Sequence, residues 1–308
     1  MISEEYNTCI ARYTYNYYNS FVVIMVMENI LLVHNAEFFK TYNNVTTLPT
    51  KNDPDDIPNR SCILFLGSHD KGCDHIHEEL QHTLFSIGAK MQYKYVILIG
   101  KTDDTISKLL QIPDNIIRIY ANNIDYIHSI IRFFPMGRDR RSISQFSLAS
   151  RDDKDILCYC NFSVDTHVVR KKIYDGVRDK PFIKFEHMGA FLAYEESNHL
   201  TRDNFFQNLC RSKYTICPRG NALDTFRFYD AIYCGCIPIV VKTRWHKYFA
   251  DLPILFLDHE DEFATLTEEW LNEMYVKIQN KRRTYYSELD LRYWMDIVQS
   301  DLLIPNFY

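Results

Sequence analysis

Short apolar runs rich in β-branched residues recur along the first half of the chain, at Phe21–Val33, Cys62–Leu66, Tyr95–Ile99 and Ile116–Tyr120. Largely apolar runs of this kind fit strands buried on both faces, the habit of parallel sheets. The intervening stretches His75–Ile87, Asp104–Leu110 and Ile124–Phe133 repeat apolar positions at helical spacing and read as helices packed on such a sheet. Residues 136–154 break the pattern, being dominated by Arg, Asp and Ser with no apolar period. A boundary is placed there, dividing the chain into residues 1–150 and 151–308. Beyond it the alternation restarts, with strands expected at Ile156–Cys160, Phe182–Phe185, Tyr214–Cys217 and Ile237–Val241, and helices at Asp165–Val177, Asp203–Arg211 and Asp224–Tyr233. The tail Phe263–Gln299 is helical in pattern, with Leu266, Trp270, Met274 and Ile278 on one face, and is expected to pack back across the lobes. Strand and helix alternating in both halves predict the α/β class.

Charge narrows the ligands. A formal net charge of -5 provides no basic stripe for displacing counterions from a nucleic acid, so nucleic-acid binding is disfavoured. An anionic ligand must instead be held by a few placed arginines and backbone amides, which points to a small phosphorylated molecule. The nine cysteines are odd in number and several lie inside apolar runs, as reduced core thiols do. Cys158/Cys160 and Cys234/Cys236 each enclose one residue rather than the two of common zinc sites, and no metal is expected there. Phe21–Val33 is too short for a bilayer, which needs about 20 apolar residues. The first residues lack the order of a secretory signal, so no membrane insertion and a cytoplasmic location are expected.

The densest chemical signal is residues 211–241, RSKYTICPRGNALDTFRFYDAIYCGCIPIVV, which read as strand, loop, helix and strand. Arg219 and Gly220 open the loop beyond the strand's carboxyl end, and Asp224 and Thr225 are good N-cap residues for the helix. Ligands bind at that end of open α/β sheets, where helix amides and dipole favour a phosphate. Pro218, Arg219, Gly220, Asn221, Asp224 and Thr225 are therefore candidates for an anion-binding loop. The guanidinium forks of Arg219 and Arg227 match phosphate oxygens. Spacing equally allows Arg227 to pair with Asp224 or Asp230. Asp230 could accept two ribose hydroxyls or be a solvated helix acid. Gly235 suits a helix C-terminus with positive φ.

These motifs, SKYTICPRG followed by DTFRFYDAIYCGCIPIVV, resemble the signature half of the exostosin family, glycosyltransferase family 47. The family pattern is approximately S-x-F-x-L-C-P-x-G, then S-x-R-x-x-E-A, then G-C-I-P-V-I. This chain keeps Ser212, Cys217, Pro218, Gly220, Arg227, Ala231, Gly235, Cys236, Ile237 and Pro238, and has Asp230 for the usual Glu and Thr225 for the usual Ser. The segment CYCNFSVDTHVVRKKIYD, residues 158–175, is similar to the start of the donor lobe in related viral and algal enzymes. It adds Asn161, Thr166 and Arg170 to the donor-binding candidates. The style of the chain resembles short forms from large algal viruses.

The resemblance implies the GT-B arrangement, two facing Rossmann-like domains with parallel sheets and a C-terminal helical segment. It also implies inverting, metal-independent transfer of a sugar from a UDP-sugar to a glycan hydroxyl, with xylose preferred and no cofactor. A base from the first lobe would take the acceptor proton while Arg227 and its neighbours stabilise the UDP leaving group. The loop Gly67–Asp74 offers Asp70 first, then His69, with Asp74 as a helix cap. Asp53-Pro-Asp55 has the letters of a metal-holding Asp-x-Asp but sits in a proline-flanked loop that no strand enters. A GDP-fucose-type transferase and a noncatalytic nucleotide-sugar or glycan-binding protein remain the alternatives.

Overall fold

The computed structural model describes residues 42–48, 54–66, 76–100, 103, 105–106, 111–125, 127–138, 154–186, 199–281 and 287–303. The expected strand Phe21–Val33, and His69, Asp70, Asp74 and Asp53, lie outside them. One sheet holds β1 (Val45–Thr47), β2 (Cys62–Leu66), β3 (Tyr95–Ile99), β4 (Ile116–Ala121) and β5 (Ile131–Phe133), all parallel and in chain order. Helix α1 (Ile76–Gly88) sends Leu80, Leu84 and Ile87 into the core behind this sheet. Every side chain of β2 and β3 is buried, as their unbroken apolar runs require.

The second sheet, also parallel, holds β6 (Ile156–Cys160), β7 (Ile183–Phe185), β8 (Ser212–Ile216), β9 (Ile237–Val241) and β10 (Leu255–Leu257) in the order β10-β9-β8-β6-β7. Around it lie α2 (Val168–Val177), α3 (His199–Arg211), α4 (Phe226–Tyr233), α5 (Glu262–Thr265) and α6 (Glu268–Gln279). Helix α7 (Leu291–Leu303) returns to the first sheet and packs on β2, β3 and β4. There the Tyr120 hydroxyl donates to Asp301 at 2.6 Å, and Arg118 lies 3.4 Å from the same carboxylate. The chain thus has an α/β plan of two parallel five-stranded sheets with a C-terminal helical segment. No helix among the described residues is long and apolar enough to cross a membrane.

The two lobes share one core. Phe133 at the end of β5 stacks on Trp245 at 5.1 Å and meets Trp294 of α7 edge-on at 5.8 Å. Beside these rings, residues 134–138 cross to the second lobe, turning at Gly137 with φ 72°. Arg138 is fully buried, its Nε donates to Asp230 Oδ1 at 2.9 Å, and its guanidinium lies 4.7 Å from the Tyr233 ring centroid. A charge removed from water survives only when paired in this way.

Several elements differ from the expected ones. Ile124–Phe133 is not a helix: Ile124 bridges Ile106, and Ile131–Phe133 is β5. Ile131 and Phe133 are buried while Arg132 between them is half-exposed, the two-residue period of a strand hidden in a segment too short to show it. The bridge also makes Ile106 extended, where a helix over Asp104–Leu110 was expected. Strands β1 and β10 were not foreseen; three residues each leave little pattern to read. Asp165–Val177 divides into a 3-10 turn, Val164–Thr166, and α2, which His167 caps through its Nδ1. The helical tail consists of α5, α6 and α7. Thr267 caps α6 by accepting from Trp270 N–H, and Leu271 rather than Trp270 enters the core. Gly235 has the expected positive φ, 64°, and closes α4 with paired bonds from Gly235 and Cys236 to the carbonyls of Ile232 and Ala231.

Arg138→Ala removes the guanidinium that pairs with the buried Asp230, and is expected to cost about 3–5 kcal/mol in denaturant unfolding. The apolar pair Arg138→Met with Asp230→Leu is expected to recover most of that loss.

Candidate active site

Strand β6 is followed in sequence by β7 on one side and by β8 on the other. The chain therefore leaves the carboxyl ends of β6 and β8 in opposite directions, opening the crevice where α/β sheets receive ligands. Asn161 follows β6 directly, and Pro218, Arg219 and Gly220 follow β8. The sequence placed its candidates at strand ends; the topology brings two of those ends together.

Arg170 of α2 reaches across the crevice. Its Nε donates to the Arg219 carbonyl at 2.7 Å and its Nη1 to the Ser163 carbonyl at 3.2 Å. A Cβ on residue 220 would stand 3.0 Å from Arg170 Nη2 and 3.7 Å from Thr166 Cγ2, so the glycine makes room for this guanidinium. Arg219 folds over its own loop, donating to the carbonyls of Gly220 and Asn221. Arg227, in the first turn of α4, lies with its guanidinium 5.0 Å from the Phe205 ring centroid. Burial, and then the Arg227 charge, push Arg170 down to about 10. Burial, then Arg219 and Arg170, lower His167. Three guanidinium groups and an imidazole thus crowd one crevice.

Polar atoms there lack partners. Arg227 Nη1, Asn161 Oδ1, Ser163 Oγ and Thr166 Oγ1 are buried without a hydrogen bond. Most buried polar groups in folded proteins are paired, so each such orphan calls for a partner. An orphan guanidinium N–H among other cations suits an anion.

Asp224 and Asp230 point elsewhere. Asp230 is held by Arg138 rather than by Arg227. Asp224 is fully buried, and its Oδ2 accepts from Met136 N–H at 2.7 Å and from the Tyr229 hydroxyl at 2.8 Å. The N-cap position belongs to Thr225, whose side chain makes no cap bond. Asn123, at the end of β4, accepts through Oδ1 from the N–H groups of Leu223 and Asp224 at 2.9 and 3.1 Å. The loop 221–224 is thereby clamped to the first lobe. Asn123, Met136 and Arg138 were not among the sequence candidates, because nothing local marks a residue whose partner is about a hundred positions away. The first-lobe candidates Asp70 and His69 belong to the segment outside the described residues. Asp103, beyond β3, is close enough for its charge to act on Arg170, placing the carboxyl side of the first sheet toward the same crevice.

Comparison with known proteins agrees on the class. Residues 149–262 match the family model described as the Exostosin GT47 domain, a range that contains all the second-lobe site residues. Exostosin-1 of Drosophila melanogaster is 33% identical over 51 residues, which are 17% of this chain and 7% of that protein, so the chain spans a small part of this relative. Among solved structures, an α1,3-fucosyltransferase is 12% identical, with TM-score 0.47 over 88% of each chain. An α1,3-fucosyltransferase with GDP is also 12% identical, with TM-score 0.46 over 86% of this chain and 91% of that one. Residues 149–262, most of the second lobe, are therefore similar to the exostosin GT47 domain.

Burial pushes the Asp224 carboxyl up to about 7 against the bonds from Met136 and Tyr229 that lower it. The folded state binds this proton more tightly than the unfolded chain, whose value is near 3.8. The resulting stabilisation is complete below the unfolded value and is lost as pH rises through about 7. Melting temperature measured from pH 4 to pH 8 is expected to fall less steeply in Asp224→Asn, which cannot ionise, than in wild type.

Proposed function

We propose that this protein transfers a sugar from a nucleoside diphosphate sugar, UDP-linked in the first instance, to a hydroxyl of a glycan, with inversion. The observation that carries this reading is the buried, unpartnered Arg227 Nη1–H, set among Arg170, Arg219 and His167 at the switch point of the second sheet. Such a cluster is preorganised for the charge that develops on a leaving diphosphate, and no solvent need reorganise when it does.

In the proposed reaction the acceptor oxygen bonds to the anomeric carbon as its proton passes to a base of the first lobe, Asp70 or His69. The bond from that carbon to the diphosphate oxygen breaks, and its electron pair stays on the diphosphate, beside the arginines. Arg170, held by two carbonyls, fixes the loop at Arg219 and Gly220, while Arg227 donates to phosphate. The guanidinium groups supply the positive charge, so the reading requires neither metal nor cofactor. UDP-xylose stands first among the donors to screen, on the family resemblance.

Calorimetric titration with UDP, GDP and ADP tests the reading. UDP is expected to bind wild type most tightly, and Arg227→Ala to weaken it about 10- to 100-fold, the worth of a hydrogen bond between charged groups. Preference for GDP would transfer the reading to a GDP-sugar donor. Binding of none of the three to folded wild type would overturn it.

A further inference from the structure

Just before β6, Lys154 joins the ends of two helices. Its Nζ donates to the Cys210 carbonyl, in the last turn of α3, and at 3.0 Å to the Cys234 carbonyl, at the C-cap of α4. The last carbonyls of a helix have no partner within it and carry the negative end of its dipole, so a shared ammonium suits both ends. Two carbonyls bonded to one nitrogen lie within about 6 Å of each other, which draws the two cysteine backbones together.

The side chains converge as well. Cys234 is buried in the interlobe core, and Cys210 packs against the same cluster. The Cys234 thiol donates to the Cys210 sulfur, and that bond, followed by burial, holds the Cys234 thiol well above its usual value. The thiolate is the nucleophile in thiol–disulfide exchange, and the proton kept on Cys234 leaves that part to Cys210. Access agrees. Among the described cysteines Cys210 is half-exposed and the other six are buried, so a reagent in solvent meets Cys210 first. A disulfide needs close backbones and facing side chains. Lys154 secures the first, and the contact between the thiols supplies the second.

We infer that Cys210 and Cys234 form a reversible disulfide that fastens α3 to α4 under oxidising conditions. The Cys210 thiolate attacks one sulfur of a small-molecule disulfide, such as glutathione disulfide, and a glutathione thiolate leaves. Cys234 then attacks the Cys210 sulfur of the mixed disulfide, and the second glutathione thiolate leaves and takes up the Cys234 proton. Two protein thiols are oxidised, and one glutathione disulfide is reduced to two thiols. The bridge closes covalently around residues 211–233, which include β8, the loop 218–225 and α4. It also secures the contact of Arg227 with Phe205, since Arg227 lies on α4 and Phe205 on α3. The bridge does not depend on what the crevice binds.

The test equilibrates the native protein in glutathione buffers of rising disulfide fraction, blocks the remaining thiols and maps the linked peptides by mass spectrometry. A link between Cys210 and Cys234 is expected to appear first and to be reversed by dithiothreitol. Melting temperature is expected to be higher in the oxidised protein by about 5 °C or more, because closing this loop restricts the unfolded chain. Cys210→Ser, a change of similar size at a half-exposed position, is expected to abolish both the link and the shift. Glutathione attached to Cys210 with no link to Cys234, or a link that forms only in guanidinium-unfolded protein, overturns the inference. So does a melting temperature that fails to rise on oxidation, or a rise that Cys210→Ser retains.

Discussion

Burying a guanidinium is among the most demanding acts a fold can perform, and here Arg138 is completely enclosed. Its partner Asp230 and the underlying Tyr233 both belong to α4, the helix that carries Arg227. The first lobe therefore grips the helix that presents the charge of the site. Asp224, at the entry to α4, repeats the arrangement by accepting from Met136 N–H, while Asn123 holds the backbone of the same loop. Two buried acids within seven residues tie the loop and helix of the crevice to the opposite lobe. Together with the ring cluster around Phe133, they make the interlobe contact a continuous core rather than a sliding surface.

That rigidity is what the crevice needs. Burial, and then the charges of neighbouring arginines, lower Arg170 and His167. The fold holds them through the bonds of Arg170 to two loop carbonyls and through the space left at Gly220. Strain of this kind is relieved by an anion, which is how a site can be costly when empty and selective when filled.

Reading the chain as an alternation of apolar runs located β2, β3, β4, β6 and β9, because each is a nearly unbroken hydrophobic stretch, and also β8, although three of its five residues are polar. It misread Ile124–Phe133, where the run Ile130-Ile131-Arg132-Phe133-Phe134 is compatible with either a helix or an edge strand and only pairing with β4 decides. Of the site, Arg219 and Gly220, beyond the end of β8, and Arg170 and Arg227, on α2 and α4, were legible as candidates from residue type and motif. The assignments of Asp224 and Asp230 were not. An acid three residues from an arginine on a helix looks like its partner until a competing cation arrives from another part of the chain.

The sequence by itself determined the class, the two sets of parallel strands and the reduced cysteines, seven of which are free among the described residues, and it offered the loop 218–225 as a candidate anion site. These follow from local pattern, in which each residue's neighbours in sequence are also its neighbours in space. The tertiary structure decided which groups are paired and which are left waiting. It gave Asp230 to Arg138, Asp224 to Met136 and Tyr229, and Glu186 to Tyr159, Asn161 and Asn208, while leaving Arg227 Nη1 and Asn161 Oδ1 unsatisfied. Hydrogen bonding saturates, so the ligand is defined by the bonds that remain unmade, and those are known only once every distant residue has been brought into place.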